Sequence, residues 1–158
     1  ESKKYKKIFT GEIPNTSCMF ILRHFVMDAE TSVGVKKYPS FSYLYKETSG
    51  SKDIKYEKWI PPIKDYLTEV LIIHVDNIKE NTPVHFTRRV VSSHPLPKTS
   101  IPFMPKFCDS HESFTLHLIS KDKFLFDTLV QNKGAPYTDS FRLHTRTKYE
   151  NTSAGGTI

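Results

Sequence analysis

Residues 113–130, "SFTLHLISKDKFLFDTLV", predict two antiparallel β-strands joined by a tight turn. In the first half, apolar Phe114, Leu116 and Leu118 recur at every second position, which matches the alternation of side chains between the two faces of a strand. The turn-like "KDK" separates this segment from residues 123–130, which fit a second strand or a short helix. The first interpretation is therefore a β-hairpin.

Four further segments are predicted to be strands because aromatic and β-branched residues are frequent in them. They are residues 18–28, 40–47, 70–75 and 84–91. The first, "CMFILRHFVMD", is apolar at both alternating positions, which predicts burial on both of its faces. The second, "SFSYLYKE", is predicted to be half-buried. The last two are expected to form an antiparallel hairpin around "KENTP".

Two proline-containing segments are predicted to be connections. Residues 92–107 contain Pro95, Pro97, Pro102 and Pro105. Since proline lacks the backbone N–H that a central strand or a helix interior requires, this segment is expected to be a long extended connection. Pro61-Pro62 excludes a continuous helix in the same way, and Trp59 and Ile60 before this pair are expected to anchor the chain to the core.

Seven to nine strand candidates indicate a mainly β protein, with a single domain over residues 1–158. A β-sandwich, a jelly roll or a barrel with long proline-rich connections is expected. The alternative is an α+β domain with one or two short helices, at residues 64–70 or 123–130. Residues 1–7 are expected to form a mobile basic arm. No apolar run is long enough to cross a bilayer, so no transmembrane segment is predicted.

The charge of the chain favours a polyanion as partner. Its formal net charge is +6 and its pI is about 9.2, and positive charge attracts nucleic acid or acidic lipid through steering and counterion release. Two basic clusters contain the candidate polyanion-binding residues. They are Lys3, Lys4, Lys6 and Lys7 in the arm, and Arg142, His144, Arg146 and Lys148 near the end of the chain.

The second cluster lies in "SFRLHTRTKY", residues 140–149, where basic and apolar residues alternate. As a strand, this segment would place a cationic stripe on one face, with charges about 6.6–6.8 Å apart, and would turn Phe141 and Leu143 inward. The stripe fits a phosphate backbone, but it also fits a solvated face that prevents edge-to-edge pairing. Tyr5 and Tyr149 are predicted to stack on bases beside these charges.

Further basic pairs, Arg88-Arg89 and Lys36-Lys37, can each place only one charge on a given face, because adjacent strand residues point in opposite directions. No defined nucleic-acid-binding motif accompanies the basic residues. Binding is therefore expected to depend on phosphate and not on base identity.

Catalysis and metal binding have little support in the sequence. His74 and Asp76 would share one strand face, but no spacing recommends a third metal ligand. His24 and His117 are each expected to be hydrogen-bonded and partly buried. Motifs for nucleophilic, phosphate-binding or zinc-dependent enzymes are absent from the sequence. We therefore predict no catalytic residues, no metal and no cofactor.

The two cysteines leave an extracellular alternative open. Cys18 and Cys108 show no metal-binding spacing, and a buried free thiol is the expected state of Cys18. A Cys18–Cys108 disulfide, with glycosylation at Asn15 or Asn151, would instead indicate an extracellular protein-binding module. A hydrolase or metal-dependent enzyme around His74 is the third interpretation.

The leading interpretation is a non-catalytic structural or assembly protein whose β domain binds a polyanion, with nucleic acid as the first candidate. Viral coat and matrix domains offer an analogy at the level of fold, because they combine a basic arm with a β module. Self-association is expected on the same analogy. The lysines of the arm would neutralise charge while mobile, and Arg142, Arg146 and Lys148 would make fixed phosphate contacts.

Overall fold

The computed structural model of the chain describes residues 10–26, 41–60, 84–98, 102–140 and 142–158. Their elements, in chain order, are α1 (Cys18–Val26), α2 (Phe41–Ser49), β1 (Lys52–Tyr56), β2 (Val84–Pro95), β3 (Phe107–Ser120), β4 (Lys123–Lys133), a 3-10 turn (Thr138–Ser140) and β5 (Leu143–Glu150). The predicted mainly β class is confirmed. The two short helices agree with the α+β alternative, although they lie at other positions than those expected for helices.

The described strands form one five-stranded antiparallel sheet in the order β1-β2-β3-β4-β5. Each strand therefore pairs with its neighbour in sequence, and β3 lies in the centre. One cross-strand row contains Phe86, Leu116, Phe126 and Thr147. The turn between β3 and β4 falls at residues 121–122, so the predicted hairpin is confirmed and residues 123–130 are a strand.

Helix α1 covers one face of this sheet and corrects the strand predicted at residues 18–28. Its buried side chains are those of Cys18, Ile21, Leu22, Phe25 and Val26. These positions are spaced i, i+3, i+4, i+7 and i+8, which places them on a single helix face. The Phe25 ring stacks on the Phe126 ring with centroids 4.2 Å apart. The strand prediction was wrong because the apolar positions of one helix face include both odd-numbered and even-numbered residues. In a short segment this pattern resembles a strand that is buried on both faces.

Hydrogen bonds fix the start of α1. Ser17 caps the helix, because its Oγ accepts the Phe20 N–H at 3.3 Å. Asn151, which follows β5, accepts the Cys18 N–H through Oδ1 at 2.7 Å. Its Nδ2 donates to Asp122 Oδ1 in the β3–β4 turn, also at 2.7 Å. Asn151 therefore joins the start of α1 to the end of the sheet.

Helix α2 corrects the second strand prediction, residues 40–47. It ends at Ser49 and is followed by Gly50 at φ 66°, the left-handed conformation that glycine commonly supplies after a helix. From α2, the Tyr45 hydroxyl donates to the carboxylate of Glu112 on β3. The alternation of aromatic residues in this segment therefore did not indicate a strand.

The proline-rich connection is shorter than predicted. Residues 92–95 belong to β2, where Pro95 lies opposite Phe107 at the last position of the strand. Proline is tolerated there because the ladder ends at that point. Before β2, Trp59 is buried as expected, with 5% of its surface exposed, whereas Ile60 is 64% exposed and anchors the chain only through backbone hydrogen bonds with Thr87.

Several predictions fall outside the described residues. They concern the basic arm at residues 1–7, the helix at 64–70, the strand at 70–75 and the loop "KENTP" that was predicted to join this strand to residues 84–91. Within the described residues, neither helix is long and apolar enough to cross a membrane.

Candidate polyanion-binding face

The sheet has a buried inner face and a polar outer face. Residues opposite each other in the register share a face, so the buried row of Phe86, Leu116 and Phe126 defines the inner face under α1. The neighbouring row of Arg89, Ser113, Leu129 and His144 lies on the other side of the sheet, which we call the outer face. The outer face is where the sequence placed its cationic stripe.

Strand β5 alternates between these faces as predicted. His144, Arg146 and Lys148 are exposed on the outer face, and Arg142 is exposed immediately before the strand. Leu143 lies on the inner face of the sheet, as predicted, but is 57% exposed. Phe141 lies outside the described residues.

Tyr149 does not have the role predicted for it. Its ring stacks on Phe124 with centroids 4.7 Å apart, and it also contacts Phe25 at 5.7 Å. Burial raises the pKa of the Tyr149 phenol. The Tyr149 ring therefore belongs to the core and cannot stack on a base, and Tyr5 lies outside the described residues.

Arg146, a predicted phosphate contact, forms an ion pair within the sheet. It donates to Asp127 Oδ1 at 2.8 Å and to Oδ2 at 2.6 Å. His117 Nε2 lies 3.0 Å from the same Oδ2, and His144 Nε2 lies 3.8 Å from it. The hydrogen bonds from Arg146 hold the pKa of Asp127 below its ordinary value, against the opposing effect of burial. The expectation that His117 is hydrogen-bonded and partly buried is confirmed.

Lys148 is also paired. Its Nζ lies 2.7 Å from Glu150 Oε2, and Lys123 Nζ lies 3.7 Å from the other oxygen of the same carboxylate. Both lysines hold the pKa of Glu150 below its ordinary value. Of the four residues of the predicted stripe, only Arg142 has no ion-pair or hydrogen-bond partner among the described residues.

An open depression of about 280 Å³ lies on the outer face beside Arg142. Its cationic lining consists of Arg89 from β2, Lys133 from the end of β4 and Arg142. His111, Ser113 and Gln131 add polar groups, and Val91 and Leu129 supply apolar surface. Glu112 also borders the depression, but its carboxylate bonds Tyr45 on the opposite face, so it contributes backbone here.

The three cations of this depression are available to a ligand. All three side chains are exposed, and within the described part of the chain none forms an ion pair. Asp109 lies opposite Lys133 in the register, but the two side chains do not form an ion pair. The backbone positions of Arg89 and Arg142 are three strand spacings apart across the sheet and two residues apart along it, or about 16 Å in all. That backbone separation favours a polymer with several charges over a single small anion.

Sequence reasoning found part of this site. It placed only one of Arg88 and Arg89 on a given face, and the structure agrees: Arg88 is 4% exposed, over the rings of Tyr56 and Trp59, while Arg89 is exposed. Lys133 was missed. No local pattern marks it, because its position near Arg142 depends on the pairing of β4 with β5.

The opposite face contains a buried carboxylate. Glu112 is 8% exposed and accepts hydrogen bonds from the Tyr45 hydroxyl and, at 3.3 Å, from Ser110 Oγ. Burial, together with the adjacent carboxylate, raises the pKa of the Tyr45 phenol. These contacts hold α2 against the sheet, so we interpret this group as structural.

The two cysteines are both buried and free. Cys18 donates to the carbonyl of Asp122 in the β3–β4 turn at 3.3 Å, whereas Cys108 lies near the start of β3. Twelve strand residues separate Cys108 from Ser120, or about 40 Å, against a Cα separation of about 4.4–6.8 Å in disulfides. The disulfide of the extracellular alternative therefore does not form in this structure, and burial raises the pKa of both thiols.

Metal binding finds no support in the described residues, which contain no group of three or more potential ligands suited to a metal ion. His74 and Asp76 lie outside them. Comparison of the chain with protein-family models, with curated proteins and with solved structures finds no match.

Proposed function

We propose that this protein is a non-catalytic structural or assembly protein whose β domain binds a polyanion, with nucleic acid as the first candidate. The observation that supports the proposal best is the depression on the outer face. There Arg89, Lys133 and Arg142 are exposed and unpaired among the described residues. Unpaired cations on a folded surface can release counterions from a phosphate backbone without first breaking an ion pair.

The spacing of the cations favours a polymer over a small anion. Arg89 and Arg142 border opposite sides of the depression, with backbone positions about 16 Å apart. The net charge of +6 adds a long-range attraction in the same direction. Arg146 and Lys148 have a secondary role in this proposal, because Asp127 and Glu150 already neutralise them.

Binding of a labelled oligonucleotide to the full chain, followed by fluorescence anisotropy from about 50 to about 200 mM salt, tests the proposal. We expect the association constant to fall steeply and linearly on a log–log plot. Binding that does not change over this range, or no binding at the lowest salt, would contradict it. Particle sizing with and without the oligonucleotide tests the predicted self-association in the same samples.

A further inference from the structure

The outer face is too broad to enter a duplex groove. Neighbouring strands lie about 4.8 Å apart, so the five strands of the sheet span about 19 Å, whereas the major groove of B-DNA is about 12 Å wide. A nucleic acid that follows this face must therefore lie across it. A single strand can do so with its bases free to turn toward the protein.

An exposed aromatic ring lies in the connection that joins two cations of the depression. Lys133 and Arg142 are at the two ends of the link between β4 and β5, and Tyr137 lies in its middle. The Tyr137 side chain is 82% exposed. An aromatic ring exposed to this extent is accessible for stacking on a base.

The link holds Tyr137 in a defined position. Thr138 is buried, and its Oγ1 donates to the carbonyl of Ala135 at 2.6 Å. Ser140 donates its N–H to the carbonyl of Tyr137 at 3.1 Å. Tyr137 itself adopts φ 66°, a conformation that bulky residues rarely take. The ring is thus presented outward by a fixed turn and not by a loose chain.

A second aromatic residue, at the same end of the sheet as Tyr137, is also highly exposed and also has a positive φ. Phe103 lies in the connection between β2 and β3, is fully exposed and has φ 63°. The register places Pro95 opposite Phe107 and Asp109 opposite Lys133, so both connections leave the sheet at one end. Strained backbone of this kind is concentrated at ligand-binding positions.

From this arrangement we infer that the ligand is a single-stranded nucleic acid, with phosphates on Arg89, Lys133 and Arg142 and a base stacked on Tyr137. The inference rests on the proposed polyanion binding and adds selectivity for single strands. Bases of a duplex are stacked on each other and offer no free face to Tyr137, whereas every unpaired base has one.

The test compares three ligands at one salt concentration: oligo-dT of about 12 nucleotides, an abasic strand with the same number of phosphates, and a duplex of equal length. We expect the full chain to bind oligo-dT about 10-fold more tightly than either of the other two. Y137L should remove most of this preference without changing the salt dependence. Y137F, which keeps the ring, should leave the preference unchanged.

The outcomes separate this inference from the proposed function. Equal affinity for all three ligands, with a steep salt dependence, would overturn selectivity for single strands and leave polyanion binding intact. Tighter binding of the duplex would do the same. No salt-sensitive binding of any ligand would overturn both. The comparison of ligands on the unsubstituted chain does not depend on whether a variant folds.

Discussion

Asp127 on β4 and Arg146 on β5 lie directly opposite each other and form a two-point ion pair, with N–O distances of 2.8 and 2.6 Å. This geometry fixes both the register of the two strands and the orientation of the guanidinium group. It also neutralises a cation that the sequence alone assigned to phosphate binding. The ion pair therefore moves the proposed binding site toward Arg142 and the depression beside it.

The first prediction concerns the pH dependence of this ion pair. Because the pKa of Asp127 is lowered in the folded protein, its carboxylate stabilises the fold above the unfolded pKa of about 3.9, and this contribution is lost as the pH falls toward the folded pKa. D127N should cost about 1 kcal/mol near pH 7, since Arg146 is 55% exposed and solvent screens the pair. Urea unfolding at about pH 7 and about pH 3 should show this difference shrinking with acid.

D109N is the matched control for D127N. Asp109 is an exposed carboxylate on the same face and forms no ion pair within the described residues. It should change the free energy of unfolding little at either pH. A D127N effect of equal size at both pH values would show that the charge of Asp127 is not what stabilises the fold.

The second prediction tests the helical assignment of α1. Phe25 is 7% exposed and stacks on Phe126, whereas Phe20 on the same helix is 43% exposed. F25A should therefore lower the free energy of unfolding by about 3–5 kcal/mol, and F20A by about 1 kcal/mol or less. Thermal or urea unfolding monitored by circular dichroism measures both. Similar losses for the two variants would be inconsistent with the helix face described here.

The third prediction concerns the link between α1 and the β3–β4 turn. N151A removes both the acceptor for the Cys18 N–H and the donor to Asp122, and should cost about 1–2 kcal/mol. N151D keeps the acceptor but places a carboxylate against Asp122. The double variant N151D/D122N exchanges the amide and the carboxylate, and should be more stable than N151D. If the double variant is no more stable, the contact between these side chains does not stabilise the protein.

The fourth prediction concerns the buried carboxylate of Glu112. Y45F leaves it without the phenol hydroxyl that donates to it, which should cost about 1–3 kcal/mol. Y137F makes the same chemical change at an 82% exposed ring and should stay within about 0.5 kcal/mol of the parent chain. Denaturant unfolding of the two variants side by side is the measurement. Equal stability of the two variants would mean that Tyr45 does not hold α2 through this hydrogen bond.

The sheet was largely predictable from the sequence because its signals are local. Residues 113–130 contain both the alternation and the turn of a hairpin, and residues 84–91 belong to β2 as expected. The alternation in residues 143–149 correctly separated the two faces of β5. In each case the period of two residues is sufficient to identify a strand.

The helices were missed although the sequence contains signals for them. The segment from Cys18 to Val26 has helical spacing of its apolar residues and a capping serine at position 17. Its short length and β-branched content favoured a strand. In α2, Gly50 marks the end of a helix, but the aromatic alternation before it was given more weight.

The binding residues could be predicted only in part, because the register between strands decides which basic residues form ion pairs. Nothing near Arg146 in the sequence indicates that Asp127, 19 positions earlier, will neutralise it. Likewise, Arg89, Lys133 and Arg142 border one depression only because β2, β3, β4 and β5 lie side by side. The basic residues of the sequence therefore predicted an attraction to polyanions. They did not indicate which of these side chains form no ion pair in the folded protein.

The central claim is that free cations, and not paired ones, bind the polyanion, and two matched double variants test it directly. R89A/R142A and R146A/K148A each remove two positive charges from the outer face, so their long-range effects are alike. We expect R89A/R142A to make the log–log salt dependence of oligonucleotide binding shallower by about 2, while R146A/K148A changes it little. Equal changes in the two variants, or the larger change in R146A/K148A, would contradict the account.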